Sequence, residues 1–243
     1  MTPHAADHHD PFCWEGTLPE TLPESPWELF TAWWTLAHEG LDGSGKVQPN
    51  PNAMSLATVD PDGRPSNRIV LCKWYDAETG TIVFHTNYTS PKGRALDASP
   101  RVAACMHWDS LSRQVRLGGA VTRCTPEENE RYFGTRALDR RVGAWASEQS
   151  EPIASRDALL AKFHAARERF GVEVDASGAI PRSARADVPC PPYWGGFRVW
   201  VDTVELWIEG TGRFHDRARW NRTMTPSGDG FTAGRWSASR LQP

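Results

Sequence analysis

The feature that most constrains this chain is a run of short β-rich segments, separated by turn residues, that begins near residue 53. Segments 54–59 and 67–74 flank Asp60-Pro61-Asp62-Gly63, where every residue is a turn former. Further strands are expected over 81–86, 101–108, 114–123, 193–201, 204–209 and 234–241. Strands this closely spaced, with few helices between them, predict a mostly β, α+β protein: an antiparallel barrel with helical additions. The strand–helix alternation of a doubly wound sheet is missing. So are Gly-x-Gly-x-x-Gly and Walker-type loops, which removes the usual dinucleotide and ATP sites.

Helix signals are few and local. Ser25-Pro26-Trp27-Glu28 reads as a capping box, followed by Trp27, Phe30, Trp33, Trp34 and Ala37 at helical spacing until Gly40. Ser90-Pro91 opens a short helix, and Thr125-Pro126-Glu127-Glu128 starts another that runs to about Phe133. The clearest period lies in 155–170, where Leu159, Leu160, Phe163, Ala166 and Phe170 share a face. Residues 1–24 lack an apolar period and are expected to form a mobile tail, with His4, His8 and His9 solvated. The Pro-, Ala- and Ser-rich stretch 172–192 reads as a flexible loop within a single domain over 25–243.

A formal net charge of -3 gives no electrostatic argument for nucleic acid or an anionic membrane. No apolar run approaches the roughly 20 residues that span a bilayer, and the start has no secretory pattern. Five cysteines (Cys13, Cys72, Cys105, Cys124 and Cys190) form no Cys-x-x-Cys pair, so free thiols in a reducing, cytoplasmic setting are expected. No metal-ligand spacing, Ser-His-Asp order or paired carboxylates compete for catalysis, and no metal is expected.

Four clusters exceed what packing requires. Arg68-Ile-Val-Leu-Cys-Lys73 sets a cation at each end of an apolar strand; alternation points them to opposite faces unless the strand is interrupted. Thr86-Asn-Tyr-Thr-Ser-Pro-Lys92 joins hydroxyls, a helix start and a lysine, a plausible anion site. Tyr132, Arg136, Arg140 and Arg141 form a basic group suited to phosphate, and Arg213-Phe-His215-Asp-Arg217 crowds three cationic or titratable side chains. Singly, each is better read as a surface ion-pair patch. Together they suggest a phosphorylated cofactor and a phosphorylated substrate.

In order along the chain, several stretches resemble the pyridoxine/pyridoxamine 5'-phosphate oxidase family. They are Asn52-Ala-Met-Ser-Leu-Ala-Thr-Val-Asp60, Arg68-Ile-Val-Leu-Cys-Lys73, Arg113-Gln-Val-Arg116 and Gly143-Ala-Trp-Ala-Ser-Glu-Gln-Ser150. Tyr193-Trp-Gly-Gly-Phe-Arg198, Glu205-Leu-Trp207, Arg213-Phe-His-Asp-Arg217 and Arg240-Leu-Gln-Pro243 continue the likeness. The resemblance implies an FMN-binding split β-barrel, homodimeric, with FMN between the subunits. It places the cofactor against Arg68, Ile69, Val70, Leu71, Lys73, His85, Thr86, Lys92, Gln114, Gln149, Ser150, Trp207 and Arg217. It places the substrate against Lys73, Tyr132, Arg136 and Arg140, with Arg213 and His215 bracketing its ring as the catalytic pair. The implied reaction moves a hydride from the substrate's C4' carbon to flavin N5, with oxygen as acceptor and hydrogen peroxide as product.

Four positions depart from the family's usual pattern. His85 stands in place of tyrosine, Pro91 in place of arginine, and Arg140 in place of serine, while Pro11-Phe-Cys-Trp-Glu-Gly16 lacks an Arg-x-x-Tyr-like lid. Oxidases of secondary metabolism, such as those of phenazine biosynthesis, also lack that lid. A sister oxidase acting on an amine, imine or dihydro-ring therefore remains an alternative, as does a non-catalytic flavin-binding module.

Overall fold

The computed structural model describes residues 16–39 and 48–243. His4, His8, His9, Cys13, Gly40 and the segment 11–15 lie outside the described residues. Helix α1 (Trp27–Glu39) begins where expected, with the Ser25 hydroxyl accepting the Trp27 N–H at 3.4 Å. It buries Trp27, Phe30, Trp33 and Ala37. Strands β1 (Ala53–Val59) and β2 (Pro65–Leu71) form an antiparallel pair across the expected turn, in which Gly63 takes φ 85° and its N–H bonds to the Asp60 carbonyl.

The strand expected over 67–74 is two strands. β2 stops at Leu71, and β3 (Trp74–Asp76) pairs instead with β4 (Thr81–Asn87). Between them the Cys72 N–H bonds back to the Asn52 carbonyl, while the Lys73 N–H bonds to the Val83 carbonyl. The chain thus changes partner at Cys72–Lys73, which breaks the side-chain alternation running from Arg68. After β4 come α2 (Pro91–Ala98), β5 (Arg101–Trp108) and β6 (Arg113–Arg123), all close to the expected bounds. Ser90 caps α2 by accepting the Gly93 N–H.

Helix α3 (Pro126–Thr135) carries the expected capping box: the Thr125 hydroxyl accepts the Glu128 N–H, and the Glu128 carboxylate accepts the Thr125 N–H. Helix α4 (Leu138–Ala146) was not expected, because Arg140, Arg141 and Gly143 obscure the apolar period of Leu138, Val142 and Ala146. Helix α5 (Arg156–Arg169) has the clearest period in sequence, yet Ala166 is its only buried residue and Leu159 and Leu160 are 45% and 43% exposed. The periodicity predicted the element correctly and its burial incorrectly.

The two strands expected over 193–201 and 204–209 are one, β7 (Trp194–Ile208). The apparent break is a bulge. Gly118 of β6 faces Thr203 and Gly119 faces Val201, so Asp202 is the extra residue. Glycine is required at 119 because a Cβ there would lie 2.2 Å from the Trp200 carbonyl oxygen. Strands β8 (Asp216–Asn221), β9 (Met224–Ser227) and β10 (Gly230–Ala233) were not anticipated, whereas β11 (Ser237–Leu241) falls within the expected 234–241.

The main sheet is antiparallel, of nine strands: seven run in the order β11-β8-β7-β6-β5-β1-β2, and β3 and β4 join off that path through the pairing of β4 with β7. β7 organises it. One edge pairs with β6 from Phe197 to Ile208; the other pairs first with β4 (Asn87↔Trp194 to Thr81↔Trp200) and then with β8 (Thr203↔Asn221 to Ile208↔Asp216). The sheet curls into a half-barrel around a core that includes Phe30, Phe84, Trp108 and Trp220, each at most 1% exposed. Burying side chains of this size contributes about 1.5–3 kcal/mol each. The indole N–H groups of Trp108 and Trp220 are satisfied by the Pro51 and Pro23 carbonyls.

That last contact concerns the segment expected to be mobile. Leu18 is buried, its N–H bonds to Asp216 at 2.8 Å, and Arg240 donates to the Leu18 and Pro19 carbonyls. Residues 18–23 are therefore packed on β8 and β11. A second, smaller core of Phe133, Leu138, Val142, Ala166 and Trp194 joins α3, α4 and α5 to β7. The stretch 172–192 has no regular structure, but Val172 and Val188 anchor it to this core.

Candidate functional site

A cavity of about 520 Å³ opens between the end of β2, β4, α2 and the α3–α4 corner. Ile69, Val70 and Leu71 supply its apolar side, and Lys73, Lys92, Arg136 and Arg140 its charge. No aspartate or glutamate is among its lining residues. The switch of strand partner at Cys72–Lys73 explains how Lys73 reaches this space. Cys72 itself is fully buried, and burial pushes its thiol up to about 12, so it is inert at neutral pH.

Lys92 is 8% exposed, and its ammonium contacts only neutral acceptors: Gln149 Oε1 at 2.6 Å, Thr86 Oγ1 at 3.1 Å and Ser90 Oγ at 3.2 Å. Thr86 also donates to Gln149 Oε1 at 2.9 Å, which fixes the amide over the cavity. Burial, reinforced by the charge of Arg68, lowers Lys92 to about 8. Arg68 sits just behind the lining residues, its guanidinium donating to Thr58 Oγ1 at 2.8 Å, to the Leu56 and Ser66 carbonyls and to the Ser66 hydroxyl. Two neighbouring cations without a hydrogen-bonded carboxylate are what a phosphate dianion would compensate.

His85 forms the floor. Its ring stacks on Tyr132 at 4.1 Å and on Trp194 at 5.0 Å, and neither ring nitrogen has a hydrogen-bond partner. Burial, then the charges of Arg136 and Lys73, push it down to about 3, so the imidazole is neutral. Arg136 lies over the Trp194 ring at 4.7 Å, and its Nη1 is buried without a partner. Orphaned donors and a carboxylate-free cationic wall together fit a phosphorylated ring ligand such as FMN.

The remaining expected residues gather elsewhere. Gln114 on β6, Trp207 on β7 and Arg217 on β8 are direct cross-strand partners and so share one face of the sheet. His215 packs its ring 4.6 Å from that of Trp207, and its Nδ1 accepts the Gly210 N–H at 3.2 Å. None of Gln114, Trp207, Arg213, His215 and Arg217 lines the cavity. Trp194 stands at one end of β7 and Trp207 thirteen residues on, a contour of roughly 40 Å at the strand rise. Ser150 borders a separate hollow instead. Ser150 (φ 72°) and Arg213 (φ 68°) are two of four non-glycine residues with positive φ among those described, a conformation that is often retained for function.

Glu205 is a further residue of this face, beyond those expected from sequence. Its carboxylate, 3% exposed, accepts Arg217 Nη2 at 2.8 Å, Arg219 Nη2 at 2.8 Å and Arg116 Nη1 at 3.1 Å. Burial alone would raise this carboxyl, but the hydrogen bonds from Arg219 and Arg217 outweigh it and leave it below its ordinary value. Arg217 is further held through Nη1 by the Gln242 carbonyl at 2.9 Å, so its guanidinium is fixed on two sides. The signal was present: Glu205 and Trp207 are two apart on one strand and so face the same way.

Comparison with known proteins places these features in a family. Residues 46–170 match the family described as pyridoxamine 5'-phosphate oxidase, and residues 194–243 match the pyridoxine 5'-phosphate oxidase C-terminal dimerisation region. The chain is 42% identical over 224 residues to a pyridoxine/pyridoxamine 5'-phosphate oxidase of Brucella canis, covering 92% of this chain and 96% of that one. A Brucella abortus protein of the same description is equally similar, with 94% of its length covered. Among solved structures, PhzG from Burkholderia lata in complex with tetrahydrophenazine-1-carboxylic acid superposes with a TM-score of 0.71 at 25% identity, covering 94% of this chain and all of that one. A pyridoxamine 5'-phosphate oxidase-related, FMN binding protein from Nostoc punctiforme shares the fold, with a TM-score of 0.62 at 17% identity, 91% of this chain and 100% of that one being covered. The half-barrel, the cationic cavity and both matched segments agree: the chain belongs to the pyridoxamine 5'-phosphate oxidase family and is an oxidoreductase.

Proposed function

We propose that this protein is an FMN-dependent oxidase that converts pyridoxine or pyridoxamine 5'-phosphate to pyridoxal 5'-phosphate in the cytoplasm, as a homodimer in which each chain supplies half of each site. The observation that carries this reading is the division of expected residues between the two ends of β7. The cationic cavity lies near Trp194 and the Gln114–Trp207–Arg217 row lies near Ile208. A second chain, docked through the C-terminal region, would bring one chain's row over the other chain's cavity. Ile69 is 66% exposed and Leu71 39% on the cavity's rim, an apolar edge suited to cover.

In this arrangement Lys92 and Arg68 hold the FMN phosphate, while Gln114 and Gln149 hydrogen-bond the polar edges of its ring system. Lys73, Tyr132, Arg136 and Arg140 hold the substrate phosphate. Arg213 and His215 of the facing chain bracket the substrate ring, and Trp207 keeps the imidazole of His215 in place. Bound FMN would supply the hydride acceptor, with oxygen as the terminal oxidant. The protein's part is orientation and charge: His85 remains neutral beneath the ligand, and its aromatic neighbours exclude water from the floor of the site.

The test is to mix FMN-loaded protein aerobically with pyridoxamine 5'-phosphate and follow pyridoxal phosphate and hydrogen peroxide together. Equal formation of both supports the reading. Bound, photoreducible FMN without turnover would instead favour an oxidase of an amine, imine or dihydro-ring intermediate, for which Arg140 in the cavity wall and the likeness to PhzG are the specific grounds.

A further inference from the structure

A second cavity, of about 780 Å³, adjoins the first and shares Arg136, Ala137 and Arg140 with it. Its walls are the α3–α4 corner and the stretch 180–185, which add Arg141, Arg182 and Arg185. Five guanidiniums therefore border one space whose lining contains a single carboxylate, Asp139. That carboxylate accepts the backbone N–H of Arg140 at 2.8 Å. Among the described residues, none of the five arginines has a carboxylate oxygen within the 4 Å of an ion pair.

A patch of surface arginines is ordinarily just solvated. Two observations set this one apart. Arg136 Nη1 and Arg141 Nε are buried and make no hydrogen bond, and unmet buried donors of a charged group are costly until an acceptor arrives. The stretch 180–185 is also shaped: Arg185 Nη1 donates to the Arg182 and Ala184 carbonyls at 3.1 and 2.9 Å, and the Ala184 N–H bonds to the Pro181 carbonyl. This stretch falls between the two matched family segments, 46–170 and 194–243.

We propose that the arginine-lined cavity is a subsite for a second acidic group on a ligand whose first phosphate is seated at Arg136 and Arg140. The ligand class is a diphosphate ester, or a phosphate carrying a further acid group beyond it. Because Arg136 and Arg140 belong to both cavities, the second group is joined to the ligand through the phosphate and not through the ring. This inference rests on the reading of the first cavity as a phosphate site.

The experiment is calorimetric titration of the FMN-loaded protein with inorganic pyrophosphate and, separately, with orthophosphate, in the wild type and in Arg182→Ala/Arg185→Ala. Pyrophosphate is expected to bind about tenfold or more tighter than orthophosphate, as one additional charge-assisted contact provides. In the double variant that preference is expected to vanish, with orthophosphate affinity and flavin content unchanged. Equal affinities in the wild type, or a preference that survives in the double variant, would overturn the subsite. Oxidation of pyridoxamine 5'-phosphate is measured on the same samples. Its absence alongside an intact pyrophosphate preference refutes the functional reading and supports the subsite; turnover without the preference refutes the subsite alone.

Discussion

The ammonium of Lys92 rests 2.6 Å from the side-chain oxygen of Gln149, a neutral partner for a charge that is almost wholly buried. Such a pairing leaves the lysine short of compensation until an anion binds. Replacing Lys92 by Met is therefore expected to weaken FMN binding by about 10- to 100-fold, the worth of one charge-assisted hydrogen bond. Flavin fluorescence quenching measures it.

The same lysine sets a pH dependence. Its folded value near 8 means that Lys92 loses its charge in the unliganded site above that pH. Wild-type affinity for FMN should fall by up to about tenfold per pH unit above 8, and the Lys92→Met variant should lack that slope. Unliganded stability runs the opposite way. Unfolded lysine keeps its proton to about 10.4, so the unfolded state binds more protons between 8 and 10.4 and the lysine's contribution to stability improves across that window. A thermal melt series without FMN, wild type against Lys92→Met, reads this difference directly.

His85 should stay neutral under physiological conditions, because burial and the charges of Arg136 and Lys73 hold it near 3. Its imidazole resonances are expected not to move between pH 5 and 8 in NMR spectra of the unliganded protein. A titration step near 6.5 would mean that the ring is solvated and not sealed between Tyr132 and Trp194.

Glu205→Gln is expected to destabilise the protein by about 1–2 kcal/mol at pH 7, at the modest end for a charged hydrogen-bonded group, because its arginine partners keep part of their hydration. The carboxyl is lowered in the fold, so its contribution is present above the ordinary glutamate range of about 4.3 and is lost as pH falls through the lower folded value. Melting temperatures of wild type and variant should converge in acid. FMN affinity should fall as well, since Arg217 loses the acceptor that orients it.

Arg213→Leu is expected to lower kcat/KM for pyridoxamine 5'-phosphate by 100-fold or more, about 2.7 kcal/mol, while the protein stays yellow. Arginine, leucine and lysine carry the same Cβ at this positive φ, so the backbone cost is unchanged, and Arg213→Lys, which keeps the charge, separates lost charge from lost guanidinium contacts. Loss of flavin in either variant would move Arg213 from substrate handling to cofactor binding.

Local rules explain what the sequence made legible. Capping residues marked α2 and α3 almost to the residue, and β-branched runs marked β1, β4, β5 and β6, since these signals depend only on neighbouring side chains. What failed depended on distant partners. The Cys72–Lys73 change of partner is invisible without β4, and the Asp202 bulge reads as a gap unless β6 is seen opposite it. α5 shows an apolar face of which only Ala166 is buried among the described residues, and Leu18 is buried where β8 and β11 return to it. The candidate site was legible as a set of residues; its division along β7 was not, because register converts a motif into a position.

That division has a genetic consequence. If each site joins the Trp194 end of one chain to the Trp207 end of another, two different inactive chains can repair one another. A dimer of a Lys73→Ala chain with an Arg213→Leu chain concentrates both lesions in one site and leaves the other wholly wild type. Co-expressed, two inactive alleles would restore activity that neither yields alone, and the single strand that separates the halves by roughly 40 Å is what makes such alleles complementary and not additive.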